Sequence, residues 1–76
     1  MHLDFQIRVI LPIELAKIGM ADSALAVRAL PPLSNLHRRL YRETLSRLED
    51  ALEKTHPDHG CLDVVRDCLT ELHVIR

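Results

Sequence analysis

The first residues alternate. In "HLDFQIRV", Leu3, Phe5, Ile7 and Val9 take one set of positions, and His2, Asp4, Gln6 and Arg8 take the other. Successive side chains of a strand point to opposite faces, so a period of two predicts a half-buried β-strand. The β-branched Ile7, Val9 and Ile10 favour the same assignment. A helical pattern through Leu3, Ile7 and Ile10 competes with it. Nothing later in the chain reads as a second strand, and a lone strand leaves its backbone donors and acceptors unpaired. A strand or arm over residues 1–11 therefore points to pairing with the same segment of a second copy.

Pro12 suits the first turn of a helix. The segment 12–30 then carries Ile13, Leu15, Ile18, Met20, Leu25, Val27 and Leu30, which cannot share one face. A helical segment that is apolar all round is buried all round, and two short helices cannot cover it. This segment also predicts a dimer. Gly19 is placed to break it, with Asp22 or Ser23 as caps of the second part. Pro31 and Pro32 end it.

Over residues 33–55, Leu33, Leu36, Leu40, Tyr41, Leu45, Leu48, Ala51 and Leu52 cover about half of a helical wheel. Arg39–Glu43, Glu43–Arg47 and Asp50–Lys54 stand at i,i+4 on the other half. Over residues 60–75, Cys61, Val65, Cys68, Leu72 and Ile75 form a heptad-like seam that Leu62 and Leu69 widen. These two helices should form an antiparallel hairpin. The expected fold is mainly α: one small domain, 1–76, a helical bundle of about three helices with an N-terminal β-strand, completed by dimerisation.

Composition sharpens that picture. The chain has 76 residues, of which 47% are apolar, and its only aromatics are Phe5 and Tyr41. A core of Leu, Ile, Val and Ala favours helices over a sandwich or barrel. A chain this short buries only about 60% of its unfolded surface, so a partner subunit is a natural source of stability. The net charge of −1 offers no global field for nucleic acid or anionic lipid. The charge is divided, however. Residues 1–48 hold seven Lys/Arg and four Asp/Glu, or +3, and residues 49–76 hold three and seven, or −4.

Seven helical residues set Cys61 and Cys68 roughly 10 Å apart, beyond the reach of a disulfide. They read as free buried thiols of a reducing compartment. No segment approaches the roughly 20 apolar residues of a membrane span. The start of the chain lacks the cationic and apolar regions of a signal peptide. The expected location is the cytoplasm.

Candidate chemistry concentrates in "KTHPDHGC", residues 54–61. His56, His59 and Cys61, with Asp58, have the atom types of a metal site. They lack the C-x₂-C or H-x₃-H spacing that lets ligands converge on one ion. The competing reading gives each residue a structural task. His56 lies near a helix C-terminus, Pro57 stops the helix, Asp58 caps the next one, and Gly60 relieves the turn. The corner is the favoured reading and metal the alternative. No cofactor is implied.

"DFQIRVILPIELAKIG" followed by "GMADSALAVRAL" resembles a ribbon-helix-helix repressor: an alternating strand, a proline opening a helix, and a glycine turn into a second helix. The resemblance covers about 30 residues and implies paired strands in a DNA major groove, with Gln6 and Arg8, beside His2 and Asp4, facing the bases. Only six residues separate Pro12 from Gly19, about half of the first helix that such a fold needs, and Asp4 would face phosphates. Gly19, Met20 and Leu25 also fall near the turn and packing positions of a helix-turn-helix. "DSALAVRAL" offers a groove only Arg28.

The one basic cluster is Arg38, Arg39 and Arg42, a surface for an acidic partner or a phosphate backbone, with a solvated face under partial salt bridging as the competing reading. Ser34 and His37 lie within one turn but lack a third group to orient the imidazole. There is no glycine-rich phosphate loop. These features lead to a non-enzymatic regulatory or adaptor protein. It would form a homodimer through Leu3, Phe5, Ile7, Val9 and the helix 12–30, and would bind a second protein. DNA binding and metal binding stand as the alternatives.

Overall fold

The structure, a computed structural model, describes residues 2–74; the side chain of His2 and the last seam position, Ile75, lie outside what it describes. Among the described residues there is no strand. α1 (His2–Phe5), a π-helical turn (Gln6–Ile10) and α2 (Leu11–Lys17) follow one another without a break, as one rod. α3 spans Ala21–Arg28. A 3₁₀ turn (Asn35–His37) leads into α4 (Arg38–Thr55), and α5 spans Gly60–Val74.

The expected N-terminal strand is thus a helix, and the reason lies in a second pattern within the same residues. Leu3, Ile7, Leu11 and Leu15 recur every four positions, and all four are buried. A helix pairs its own N–H and C=O groups, which a lone strand cannot do. Steps of four drift about 40° each around a 3.6-residue helix, which would carry Leu15 away from the core. The wider π turn takes up that drift. Its cause is Pro12. A proline inside a helix lacks the N–H for an i→i−4 bond, and its ring clashes with the carbonyl four residues back, here that of Arg8. The chain answers by widening, and the Leu11 N–H bonds to the Gln6 carbonyl five residues back. Pro12 therefore sits inside the rod and does not start it. Phe5 and Val9, expected to face inward with Leu3 and Ile7, face solvent.

The segment 12–30 breaks at Gly19, whose φ of 82° is the left-handed conformation that glycine adopts without strain. The Met20 N–H bonds to the Leu15 carbonyl at 2.9 Å and the Gly19 N–H to that of Ala16 at 3.2 Å. This is a Schellman closure, and Met20 packs on the core as the motif requires. Neither Asp22 nor Ser23 caps α3; the cap position is Met20, which makes no side-chain cap bond.

α3 folds back on α2, and α5 folds back on α4. The two hairpins meet where α2 touches α5 and α3 touches α4. Tyr41, Leu45, Leu48 and Leu52 of α4 enclose the core with Cys61, Leu62, Val65, Cys68, Leu69 and Leu72 of α5, as their spacing implied. Arg66 ties the hairpin from outside, reaching Glu49 at 3.0 Å and Glu53. The helix expected from residue 33 starts at Arg38 instead, since Pro31 and Pro32 and the extended Ser34 delay it. Leu36 is left 84% exposed.

The total surface is 4898 Å² for 8.7 kDa. A compact monomer of that mass exposes about 4,700 Å². The core therefore closes within one chain. Within segment 12–30, Leu15, Ala24, Val27 and Leu30 are buried by the chain's own helices, while Ile13 and Leu25 stay exposed.

A cavity at the helix corner

The corner 56–60 is built from local bonds. The His56 N–H closes α4 on the Leu52 carbonyl at 2.7 Å, and the Thr55 hydroxyl bonds to the Ala51 carbonyl at 2.7 Å. The His59 N–H bonds to the His56 carbonyl at 3.1 Å. α5 is then capped by His59, whose Nδ1 accepts the Cys61 N–H at 3.0 Å. This bond requires the tautomer that carries its proton on Nε2. Asp58, the expected cap, is exposed and has no such role.

The residues of the metal alternative are engaged in the same local geometry. His56 Nδ1 lies 2.8 Å from the Thr55 hydroxyl, and His59 Nδ1 is occupied by a backbone N–H. Burial pushes the Cys61 thiol above its ordinary pKa, and the Glu14 carboxylate adds to the effect. Among the described residues no three His, Cys, Asp or Glu side chains gather to hold an ion.

What the corner does build is a cavity of about 290 Å³. Ile10, Leu11 and Glu14 of the rod form one wall, and His59, Gly60, Cys61 and Val64 form the other. Its lining is apolar apart from the Glu14 carboxylate and the His59 ring. Glu14 also pairs with Lys17 at 3.3 Å. Outside the cavity, the rod continues as an apolar stripe of Phe5, Val9 and Ile13, each four residues from the next. With Ile10 and Val64, these side chains are between 36% and 54% exposed.

A second polar cluster fastens the rod to α4. The buried Tyr41 hydroxyl donates to the Pro31 carbonyl at 2.6 Å and lies 3.1 Å from Asp4 Oδ1. The same oxygen accepts the Leu33 N–H at 3.2 Å, and Asp4 Oδ2 pairs with Arg8 at 3.4 Å. Burial pushes the Asp4 carboxyl up, but the Leu33 N–H, the Tyr41 hydroxyl and the Arg8 guanidinium outweigh it and hold it below its usual value. Burial first, then the hydrogen bond and charge of Asp4, push the Tyr41 phenol up to about 12. The sequence pattern counted Tyr41 as one more apolar position. The available signal was its hydroxyl, because a buried tyrosine tip needs a partner.

The remaining candidates are dispersed. Gln6 and Arg8, two apart on a helix, cannot present one face to a DNA groove, and Arg8 is drawn toward Asp4. The ribbon that would carry them is absent. α2, Gly19 and α3 do make a helix–turn–helix hairpin, but α3 exposes Ala21, Asp22, Leu25, Ala26, Arg28 and Ala29, with one cation among them. Arg38, Arg42 and Arg39 span an arc of about 100° on α4, with Arg42 between the other two. Arg38 bonds to Asn35 at 2.9 Å and Arg39 pairs with Glu43 at 3.2 Å. Ser34 and His37 do meet, at 3.2 Å, on the exposed 3₁₀ turn. No helix among the described residues is long and apolar enough to cross a membrane.

No protein-family model, no characterised protein and no solved structure matches this chain.

Proposed function

We propose that the chain is a small non-enzymatic regulatory or adaptor protein of the cytoplasm that works as a homodimer. The outward face of the rod joins the two copies. The first turns of α4, with Arg38, Arg39 and Arg42, stay outside that interface and meet an acidic protein partner.

The observation that carries this reading is the stripe Phe5–Val9–Ile13 with Ile10 and Val64 beside it. Five large apolar side chains, each about half or a third exposed, leave on the order of 400 Å² of apolar surface on one side of the molecule. Interfaces are roughly 60% apolar, so the stripe with its polar rim matches about 650 Å² per copy, or about 1,300 Å² for a pair. That is the low end of specific, stable association. The stripe is uncharged between Phe5 and Ile13, because Arg8 is drawn to Asp4 on another flank. A neutral apolar face suits a second neutral face, whereas a strongly charged partner would find no counter-charge there.

Light scattering after size exclusion tests the proposal. At about 100 µM the protein should elute with twice the mass of one chain, and the Val9→Glu/Ile13→Glu variant with the mass of one, its circular dichroism unchanged. A wild-type mass of one chain across the whole concentration range would overturn it.

A further inference from the structure

The stripe has a knob and a hole. Phe5 is the larger of the exposed side chains on the rod, and the cavity at the corner opens beside Ile10 and Glu14 of the same rod. From Phe5 to the middle of the cavity wall is about seven residues, or roughly 10 Å along the axis. Val9 lies midway. A twofold axis midway between them, on the flank of the rod between the stripe and Ile10, exchanges the two features and brings each Phe5 over the other copy's cavity. In an isologous interface, residue i meets j and j meets i, so one knob and one hole on adjoining flanks of the rod complete both halves of the contact.

We propose that the cavity formed by Ile10, Leu11 and Glu14 on one wall and His59, Gly60, Cys61 and Val64 on the other receives the Phe5 side chain of a second copy of this chain. The inference rests on the homodimer reading above and names the contact that holds it. Size agrees: an apolar cavity of roughly 150 Å³ already admits benzene, and this one measures about 290 Å³. The lining agrees too, because three aliphatic side chains and a buried thiol offer a phenyl ring dispersion contacts. Glu14, the one charged lining residue, keeps Lys17 as its partner at the rim. The area agrees, since a dimer at the low end of stable interfaces needs a central anchor, and aromatic side chains in desolvated pockets supply most of the energy of such contacts.

The chain contains no tryptophan, so Phe5→Trp introduces a single indole at the knob. Gly60→Phe plugs the hole. A Cβ at Gly60 meets no atom within 4 Å, and its backbone is not in the left-handed region, so a side chain can start there without a clash or backbone strain. Emission of Phe5→Trp should move to shorter wavelength as concentration rises through the monomer–dimer range. Adding Gly60→Phe should abolish that shift and weaken dimerisation at least tenfold, with helicity unchanged. If light scattering reports a dimer while the emission of Phe5→Trp stays that of a solvated indole, or if Gly60→Phe dimerises like wild type, the knob-and-hole contact is overturned and the homodimer stands. If no dimer forms at any concentration, both fall.

Discussion

Tyr41→Phe removes one oxygen from a fully buried side chain and nothing else. The hydroxyl has one proton and two acceptors: the Pro31 carbonyl at 2.6 Å and Asp4 Oδ1 at 3.1 Å. The distances assign the main bond to Pro31, with Asp4 as the weaker arm. A net hydrogen bond is worth about 1 kcal/mol, and a buried acceptor left without a donor adds to that, so the substitution should cost about 1–2 kcal/mol. In a domain of this size that lowers the melting temperature by roughly 5–15 °C. A double-mutant cycle with Asp4→Ala separates the two arms. Asp4→Ala alone also loses the Leu33 N–H and the Arg8 pair, but those losses cancel in the cycle. The coupling between Tyr41 and Asp4 should then be below about 1 kcal/mol, and smaller than the cost of Tyr41→Phe. Urea unfolding of the four proteins at one concentration measures it. A coupling equal to the whole Tyr41→Phe effect would place the proton on Asp4 and refute the assignment. A cost under about 0.5 kcal/mol would refute the role of the clip.

Three further outcomes follow from the same geometry. The Asp4 carboxyl is held below its ordinary value, so its stabilising contribution is complete above that ordinary value and is lost as pH falls through the folded-state value. Asp4→Asn should flatten the fall in urea midpoint below about pH 4, and superimposable acid profiles would contradict this. His59→Ala should cost about 1 kcal/mol by removing the cap of α5, and His59→Asn should restore most of it; equal melting curves for the two variants would exclude a capping role. Burial is the first cause of the raised thiol values, with Cys68 pushed up to about 11, so both cysteines should resist alkylation at pH 8 until urea unfolds the chain. Labelling of Cys68 at the rate of a free thiol would show that the α4–α5 core opens.

What the sequence determined by itself is the α4–α5 hairpin and the corner. Tyr41, Leu45, Leu48 and Leu52 face Cys61, Val65, Cys68 and Leu72 because a single period near 3.5 runs through both segments, with no competing pattern. Proline at 57 and glycine at 60 mark the corner because each restricts or frees the backbone locally. The N-terminus is different. Leu3, Ile7, Leu11 and Leu15 at four-residue steps and Leu3, Phe5, Ile7 and Val9 at two-residue steps are drawn from the same letters, and local preference cannot choose between them. Tertiary structure decided, because only the helix satisfies its own backbone while laying four side chains in the core. The π turn before Pro12 belongs to the same decision, since a strict four-residue stripe stays on one face only if one turn is wider than the rest. The cavity and the Asp4–Tyr41 clip were not legible at all. Each joins residues more than 35 positions apart, and contacts at that distance exist only once the two hairpins have packed.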